Sequence, residues 1–147
     1  MIVDLPDLSA TAAFGTRIAA RLQPGDVVAL SGGLGVGKTT LARAVIAALG
    51  YRGEVPSPTF TIVETYSAPG VRLPLVHADF YRLERPAEAD ELGLDDYRDG
   101  AALIAEWPEH AGGFATEPGC LAIVLEIADP GRRAIVEPGS DWLGRLP

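Results

Sequence analysis

Gly32-Gly33-Leu34-Gly35-Val36-Gly37-Lys38-Thr39-Thr40 meets the pattern G-x-x-x-x-G-K-[ST] at every defined position, the signature of a phosphate-binding loop. Glycines let successive backbone N–H groups turn inward around phosphate oxygens with no Cβ in the way. Lys38 offers a compact charge to the β- and γ-phosphates. The Thr39 hydroxyl can ligate Mg²⁺, and the start of the following helix favours anions. Gly33, Leu34, Gly35, Val36, Gly37, Lys38, Thr39 and Thr40 are therefore the candidate nucleotide-binding residues. Lys38 is the only lysine in the chain; the other basic side chains are all arginine. Coding bias explains an arginine excess but not the position of the single exception, where a planar guanidinium does not replace a point charge.

An ATP-hydrolysing site of this kind needs a second acid at the end of an apolar strand, to hold Mg²⁺ or its water, and a group that orients the attacking water. Three acids compete. Asp79 follows Leu75-Val76-His77-Ala78, Glu106 follows Leu103-Ile104-Ala105, and Glu126 lies inside an apolar run that continues through Ile127-Ala128. Glu126 reads as an exposed strand position and is set aside. Asp79 is short and suits the metal role. Glu106 has longer reach, and Trp107-Pro108 turns the chain directly after it. A strand-end salt bridge is the plain alternative for both. His77 lies two residues before Asp79 and shares its face on a strand, which reads as a hydrogen-bonded structural histidine. His77 and His110 have no recognisable metal-ligand spacing. Ser57 and Thr59 stand in a stiff proline-bracketed loop after the first helix of the nucleotide unit. They are candidates for sensing the γ-phosphate and Mg²⁺, with ordinary turn chemistry as the alternative.

These residues need elements to hold them. Val27–Leu30 is a short continuous apolar run, as expected of a strand buried on both faces. Leu41 to Leu49 carries helical periodicity, and Gly50 stands where a C-terminal cap belongs. Ser9 is expected to cap an earlier helix running to about Leu22, with Phe14, Ile18 and Leu22 on one face. Met1–Val3 reads as a short strand. Thr61–Tyr66 and Leu73–Asp79 read as antiparallel neighbours joined through Ala68-Pro69-Gly70. Glu84 to Tyr97 reads as mostly helical with a break near Gly93. Ala101–Glu106 and Leu121–Ile127 are further strands, His110 to Gly119 is loop, and Asp129-Pro130-Gly131 begins a terminal hairpin.

The chain has 147 residues, a length that implies one domain (1–147) with a real core. Its net charge of −8 argues against this chain alone gripping a nucleic-acid backbone. Seven acids between Glu84 and Asp99 read as a solvated face, or more sharply as a docking surface for a basic partner. No apolar run reaches membrane-spanning length and the N-terminus has no signal-peptide character, so the expected location is cytoplasmic. The one cysteine, Cys120, is expected to be a buried thiol outside any disulfide or zinc framework.

Four blocks in order, Gly32–Thr40, Ser57-Pro58-Thr59-Phe60, His77-Ala78-Asp79-Phe80-Tyr81-Arg82-Leu83 and Glu106-Trp107-Pro108, make the chain from about Ser9 to Asp129 resemble the bacterial TsaE (YjeE) family. The resemblance implies a three-layer α/β fold of the P-loop NTPase type, with central parallel strands flanked by antiparallel ones. It implies ATP and Mg²⁺ at the loop. Asp79 then matches a metal-associated aspartate, Glu106 a glutamate tied to hydrolysis, and Thr59 a switch-like loop. Trp107 packs beside the nucleotide or against a partner. The partners implied are TsaD and TsaB, with tRNA reached through them and no role for DNA or membrane. ATP hydrolysis would reset that assembly between cycles without making the modified base itself. One departure stands out: family members often carry Asp where this chain has Gly33, so a carboxylate that could contact metal-bound water or a partner is lost while the loop can still wrap phosphate. A small-molecule kinase and a non-catalytic nucleotide-gated module are the rival readings. The kinase reading lacks an arginine-rich lid, since Arg82, Arg85 and Arg98 sit amid acids.

Overall fold

The computed structural model describes residues 1–57 and 62–147. In chain order the elements are β1 (Ile2–Leu5), α1 (Leu8–Arg21), β2 (Val27–Ser31), α2 (Lys38–Ala48), β3 (Val63–Tyr66), β4 (Leu75–Asp79), α3 (Ala87–Glu91), α4 (Leu94–Arg98), β5 (Ala102–Glu106), β6 (Cys120–Ile127) and β7 (Arg132–Pro138). Short 3₁₀ turns follow at Pro108–Ala111 and Ser140–Trp142. The strands form one seven-stranded sheet in the order β1-β7-β6-β2-β5-β4-β3. The pairs β6/β2, β2/β5 and β5/β4 are parallel; β1/β7, β7/β6 and β4/β3 are antiparallel. The expected arrangement of parallel centre and antiparallel flanks is thus the observed one.

Alternation along the central strands builds the layers. Val28, Leu30, Ile104, Leu121 and Ile123 share one core with Phe14 and Ile18 of α1 and Leu41, Val45 and Ile46 of α2. Val27, Ala29, Val76, Leu103 and Ala105 share the other with Phe80, Leu83, Ala89 and Leu94, on the side of α3 and α4. Successive residues of a strand point to opposite faces, so a strand covered on both must be apolar throughout. β2 meets that condition, with Val27–Leu30 all buried. The helical stretch after Glu84 does break at Gly93, where the chain turns left-handed between α3 and α4.

One expected boundary is corrected. The cap of α1 is Asp7, not Ser9: Asp7 is extended, and its Oδ1 accepts from the Ala10 backbone N–H at 2.8 Å. Either side chain can cap a helix. Capping from Asp7 starts the helix at Leu8 and places Ser9 inside its first turn.

The chain's end is tied back under β2. Arg145 donates from Nη1 and Nη2 to the two carboxylate oxygens of Asp26, both at 2.7 Å, and from Nη1 to the Arg21 carbonyl at 2.6 Å. Its guanidinium also lies over Trp142, 4.2 Å from the ring centroid. Among the described residues, no helix is long and apolar enough to cross a membrane.

Candidate functional site

Sheet register brings the chemistry-bearing residues to one edge. Leu30 of β2 is paired with Glu106 of β5, and Glu106 with Asp79 of β4. The end of the loop-bearing strand and both acids therefore lie in one row at the carboxyl ends of three parallel strands, where open α/β sheets bind ligands. The loop leaves β2 there and returns as α2. Gly37 is the N-cap of α2 at φ +108°, a left-handed conformation natural to glycine, and no side chain caps the helix. The first-turn N–H groups are thus aimed at whatever sits before the helix. Gly32, at φ +137°, is needed for space as well: a Cβ there would stand 2.5 Å from the Leu125 carbonyl oxygen and 2.8 Å from Val36 Cγ1.

A cavity of about 230 Å³ opens at this edge, lined by Leu34, Gly35, Gly37, Lys38, Thr39, Thr40, Asp79, Glu106 and Trp107. Most of the expected site residues are on that lining. Among the described residues, Val36, Gly33 and Ser57 are not. Val36 is buried and its side chain joins the core under the loop; its N–H bonds the Gly33 carbonyl, and its own carbonyl accepts from Arg132 Nε at 3.0 Å. Gly33 contributes its carbonyl to Lys38. Thr59 lies outside the described residues.

Lys38 is buried, and its ammonium donates to the Gly32 and Gly33 carbonyls at 2.7 and 2.8 Å. An ammonium has three donors, so one N–H remains after these two bonds. Burial pushes the Lys38 pKa down from its ordinary value, while the charges of Glu106, then Asp79 and Glu109, act in the opposite sense. The indole of Trp107 lies 4.4 Å from the ammonium, centroid to Nζ. It reaches that place because Trp107 itself is left-handed, at φ +54°, between β5 and Pro108. A bulky residue in that region stores strain, and here the strain sits at the site's wall. Tyr81 and His110 extend the wall, with ring centroids 5.0 and 5.3 Å from that of Trp107. His110 Nδ1 is 3.1 and 3.0 Å from the Phe80 and Tyr81 carbonyls, which assigns its proton to Nδ1.

Glu106 is held at both oxygens. The Thr39 hydroxyl donates to Oε1 at 2.7 Å, and His77 Nε2 bonds Oε2 at 2.6 Å. Asp79 Oδ1 accepts from the Tyr81 backbone N–H at 3.0 Å. The hydrogen bond expected of His77 is present, and its partner is Glu106. Glu109, which sequence reasoning missed, accepts from the Ser31 hydroxyl at 3.3 Å and adds a carboxylate near the loop. Arg132, also missed, braces the loop from the far hairpin. No motif spacing marks either residue; both arrive through the fold. Glu126, the acid set aside, sits on β6 facing Arg133 at 3.8 Å, away from the cavity lining.

The donor set suits a hard divalent cation bound together with phosphate. Mg²⁺ keeps several waters and takes one or two protein oxygens, and Thr39 and Asp79 line the same cavity. Among the described residues, no cluster of three or more His, Cys, Asp or Glu forms an all-protein metal cage.

Comparison with known proteins follows the same lines. The family model described as "Threonylcarbamoyl adenosine biosynthesis protein TsaE" matches residues 5–135. A Rickettsia bellii protein named tRNA threonylcarbamoyladenosine biosynthesis protein TsaE is 36% identical over 121 residues, covering 82% of each chain. A Streptomyces coelicolor protein of the same name is 46% identical over 96 residues, and the match spans 65% of each chain, just under two thirds of that relative's length. The crystal structure of Bacillus subtilis YdiB superposes with a TM-score of 0.69 at 31% identity, covering 97% of this chain and 86% of that one.

Proposed function

The chain belongs to the TsaE family, and from that membership we propose that it is the Mg²⁺-dependent ATPase of the machinery that makes threonylcarbamoyladenosine in tRNA. In this reading it hydrolyses ATP weakly alone and faster on a TsaD–TsaB complex, whose turnover it supports, and it meets tRNA only through those partners. The observation that carries the reading is the convergence of Lys38, Thr39, Asp79 and Glu106 on one cavity at the carboxyl edge of the parallel strands.

The α2 N-terminus and the Lys38 ammonium bind phosphate oxygens. Thr39 can donate to Glu106 and still present oxygen lone pairs to the cavity, so one hydroxyl serves both neighbours. Thr39 and Asp79 would hold Mg²⁺, which supplies neutralisation of the charge on the phosphate oxygens. Glu106 orients the attacking water and accepts its proton. Trp107 closes the wall over Lys38 and keeps bulk water from the ammonium. The acidic chain fits a division of labour in which the partners hold the tRNA. A kinase reading gains nothing from Arg85 or Arg98, because Arg85 is paired with Glu88 and Glu91 and Arg98 is bidentate on Glu117.

The test is phosphate release from ATP by the full chain, alone and with TsaB–TsaD and tRNA, with Lys38→Ala as control. Slow release alone, stimulation by the complex and loss in the variant are expected. Tight ATP binding without stimulation would replace the ATPase with a nucleotide-gated binding module.

A further inference from the structure

The side chain of His77 is fully buried in β4, a strand whose five residues, Leu75-Val76-His77-Ala78-Asp79, are all buried. His77 is paired in register with Ile104, and Asp79 with Glu106, so the ring lies one pleat behind the acid pair on the same face. Its Nε2 meets Glu106 Oε2 at 2.6 Å, and its Nδ1 has no hydrogen-bond partner among the described residues. A carboxylate only accepts, so Nε2 carries the proton; Nδ1 is left as the bare nitrogen, because a buried N–H without an acceptor is the costlier choice. An aliphatic side chain would fill this position without stranding a nitrogen. Among the described residues, the one polar contact that histidine makes here is the bond to Glu106.

We infer that His77 is a positioning residue for Glu106: its Nε2–H holds Oε2, so that the carboxylate faces the cavity through Oε1 alone, the oxygen already shared with the Thr39 hydroxyl. The inference rests on the proposed role of Glu106 in orienting water. A glutamate has three side-chain torsions, and a group that must meet water in one geometry loses rate steeply when it wanders by about 1 Å. Thr39 and His77 clamp it from opposite sides, one on the loop helix and one on the neighbouring strand. His77 is not on the cavity lining; it acts through the oxygen it occupies.

Three substitutions separate positioning from packing. In His77→Gln the amide nitrogen can take the place of Nε2; in His77→Asn it is too short to reach; His77→Leu keeps the volume and removes the donor. Expected results are nucleotide affinity within about 3-fold of wild type in all three, and partner-stimulated kcat down by about 10-fold or more in Leu and Asn. Gln should stay within about 3-fold of wild type. His77→Leu added to Glu106→Gln should cost nothing beyond Glu106→Gln alone, because the two act as a unit. A readout without turnover is the ¹⁵N-histidine NMR spectrum of the full chain. It should show the Nε2–H tautomer with an exchange-protected ε2 proton that vanishes in Glu106→Leu. If His77→Leu does not fold, the Gln/Asn pair decides. Folded Leu and Asn variants with wild-type kcat, or an Nδ1–H tautomer, would overturn the inference while leaving Glu106's own role standing. Wild-type kcat in Glu106→Gln would instead remove that role, and the inference with it.

Discussion

Glu106→Gln tests the division of labour inside the site, because it preserves shape and removes one charge. Wild-type Glu106 accepts two short bonds, from Thr39 at 2.7 Å and His77 at 2.6 Å. In the variant the amide oxygen can keep His77, and the amide NH₂ can face Thr39, whose hydroxyl rotates to accept. Two charge-assisted bonds become two neutral ones, a loss of about 1 kcal/mol each. Relief from burying a carboxylate offsets part of that. The net cost is then about 1–2 kcal/mol, which lowers Tm by no more than about 8 °C in a chain of this size. The phosphate-binding groups stay in place and a negative charge leaves the cavity, so ATP affinity should hold or improve. Removing Glu106 also removes the strongest influence that holds the Lys38 pKa up against burial. The alkaline loss of nucleotide affinity should therefore begin at lower pH than in wild type. Turnover is where the effect is large: losing a general base costs about 100-fold or more, equivalent to about 2.7 kcal/mol of barrier. The assay is phosphate release with the partner complex and tRNA, beside calorimetric ATP binding and a melting curve. A kcat within about 3-fold of wild type, with binding and melting intact, would refute the assignment of water orientation to Glu106.

Two neighbouring glycines should behave oppositely. Gly32→Ala places a methyl 2.5 Å from a backbone carbonyl at φ +137° and should cost about 2–4 kcal/mol, whereas a Cβ at Gly33 meets nothing within 4 Å and Gly33→Asp should shift stability by about 0.5 kcal/mol or less; melting curves of both check this. Arg145→Ala leaves Asp26 buried without its cation and should cost about 3–5 kcal/mol, lowering Tm by about 10 °C, with partial recovery on adding Asp26→Asn. Burial pushes the Cys120 thiol up from its ordinary value to about 11, so the folded chain keeps a proton that the unfolded chain releases. That contribution to stability is full below about pH 9 and is lost as pH rises through about 11, by roughly 2–3 kcal/mol; the difference between wild type and Cys120→Ala in denaturant titrations at pH 8 and 11 measures it.

The local half of this site was legible because it is written in adjacent residues. The strand, glycine loop and helix occupy one contiguous run, and the residue types in it are dictated by phosphate geometry. Asp79 and Glu106 were each readable as the acid that ends an apolar strand. What no spacing in the chain states is that β4 and β5 pair with Asp79 opposite Glu106, or that β5 sets Glu106 level with Leu30 at the base of the loop. Register is decided by which faces the helices cover, a property of the assembled layers. For the same reason His77 could be assigned to a strand face but not to a partner: its bond to Glu106 joins positions 29 residues apart. Arg145 and Asp26 are 119 apart. The helix cap was lost to a local ambiguity instead, since Asp7 and Ser9 are both good caps and only the start of the helix chooses between them.

That contrast bears on how the site works. In the proposed function the loop residues hold phosphate by local geometry, so they need only the strand and helix that bracket them. Glu106 depends on two other segments at once, the loop helix through Thr39 and β4 through His77. A partner that shifts β4 against β5, even slightly, would move the carboxylate without disturbing the phosphate cradle. On the proposed function, binding and hydrolysis are thereby separable in this fold: nucleotide would be held by contiguous backbone, and the proposed water-orienting group is placed by tertiary register. A weak basal ATPase that a partner accelerates is the behaviour such an arrangement supports. On this argument, partner stimulation should raise kcat and leave the ATP dissociation constant within about 3-fold, whereas a partner acting on the loop itself would change affinity and rate together.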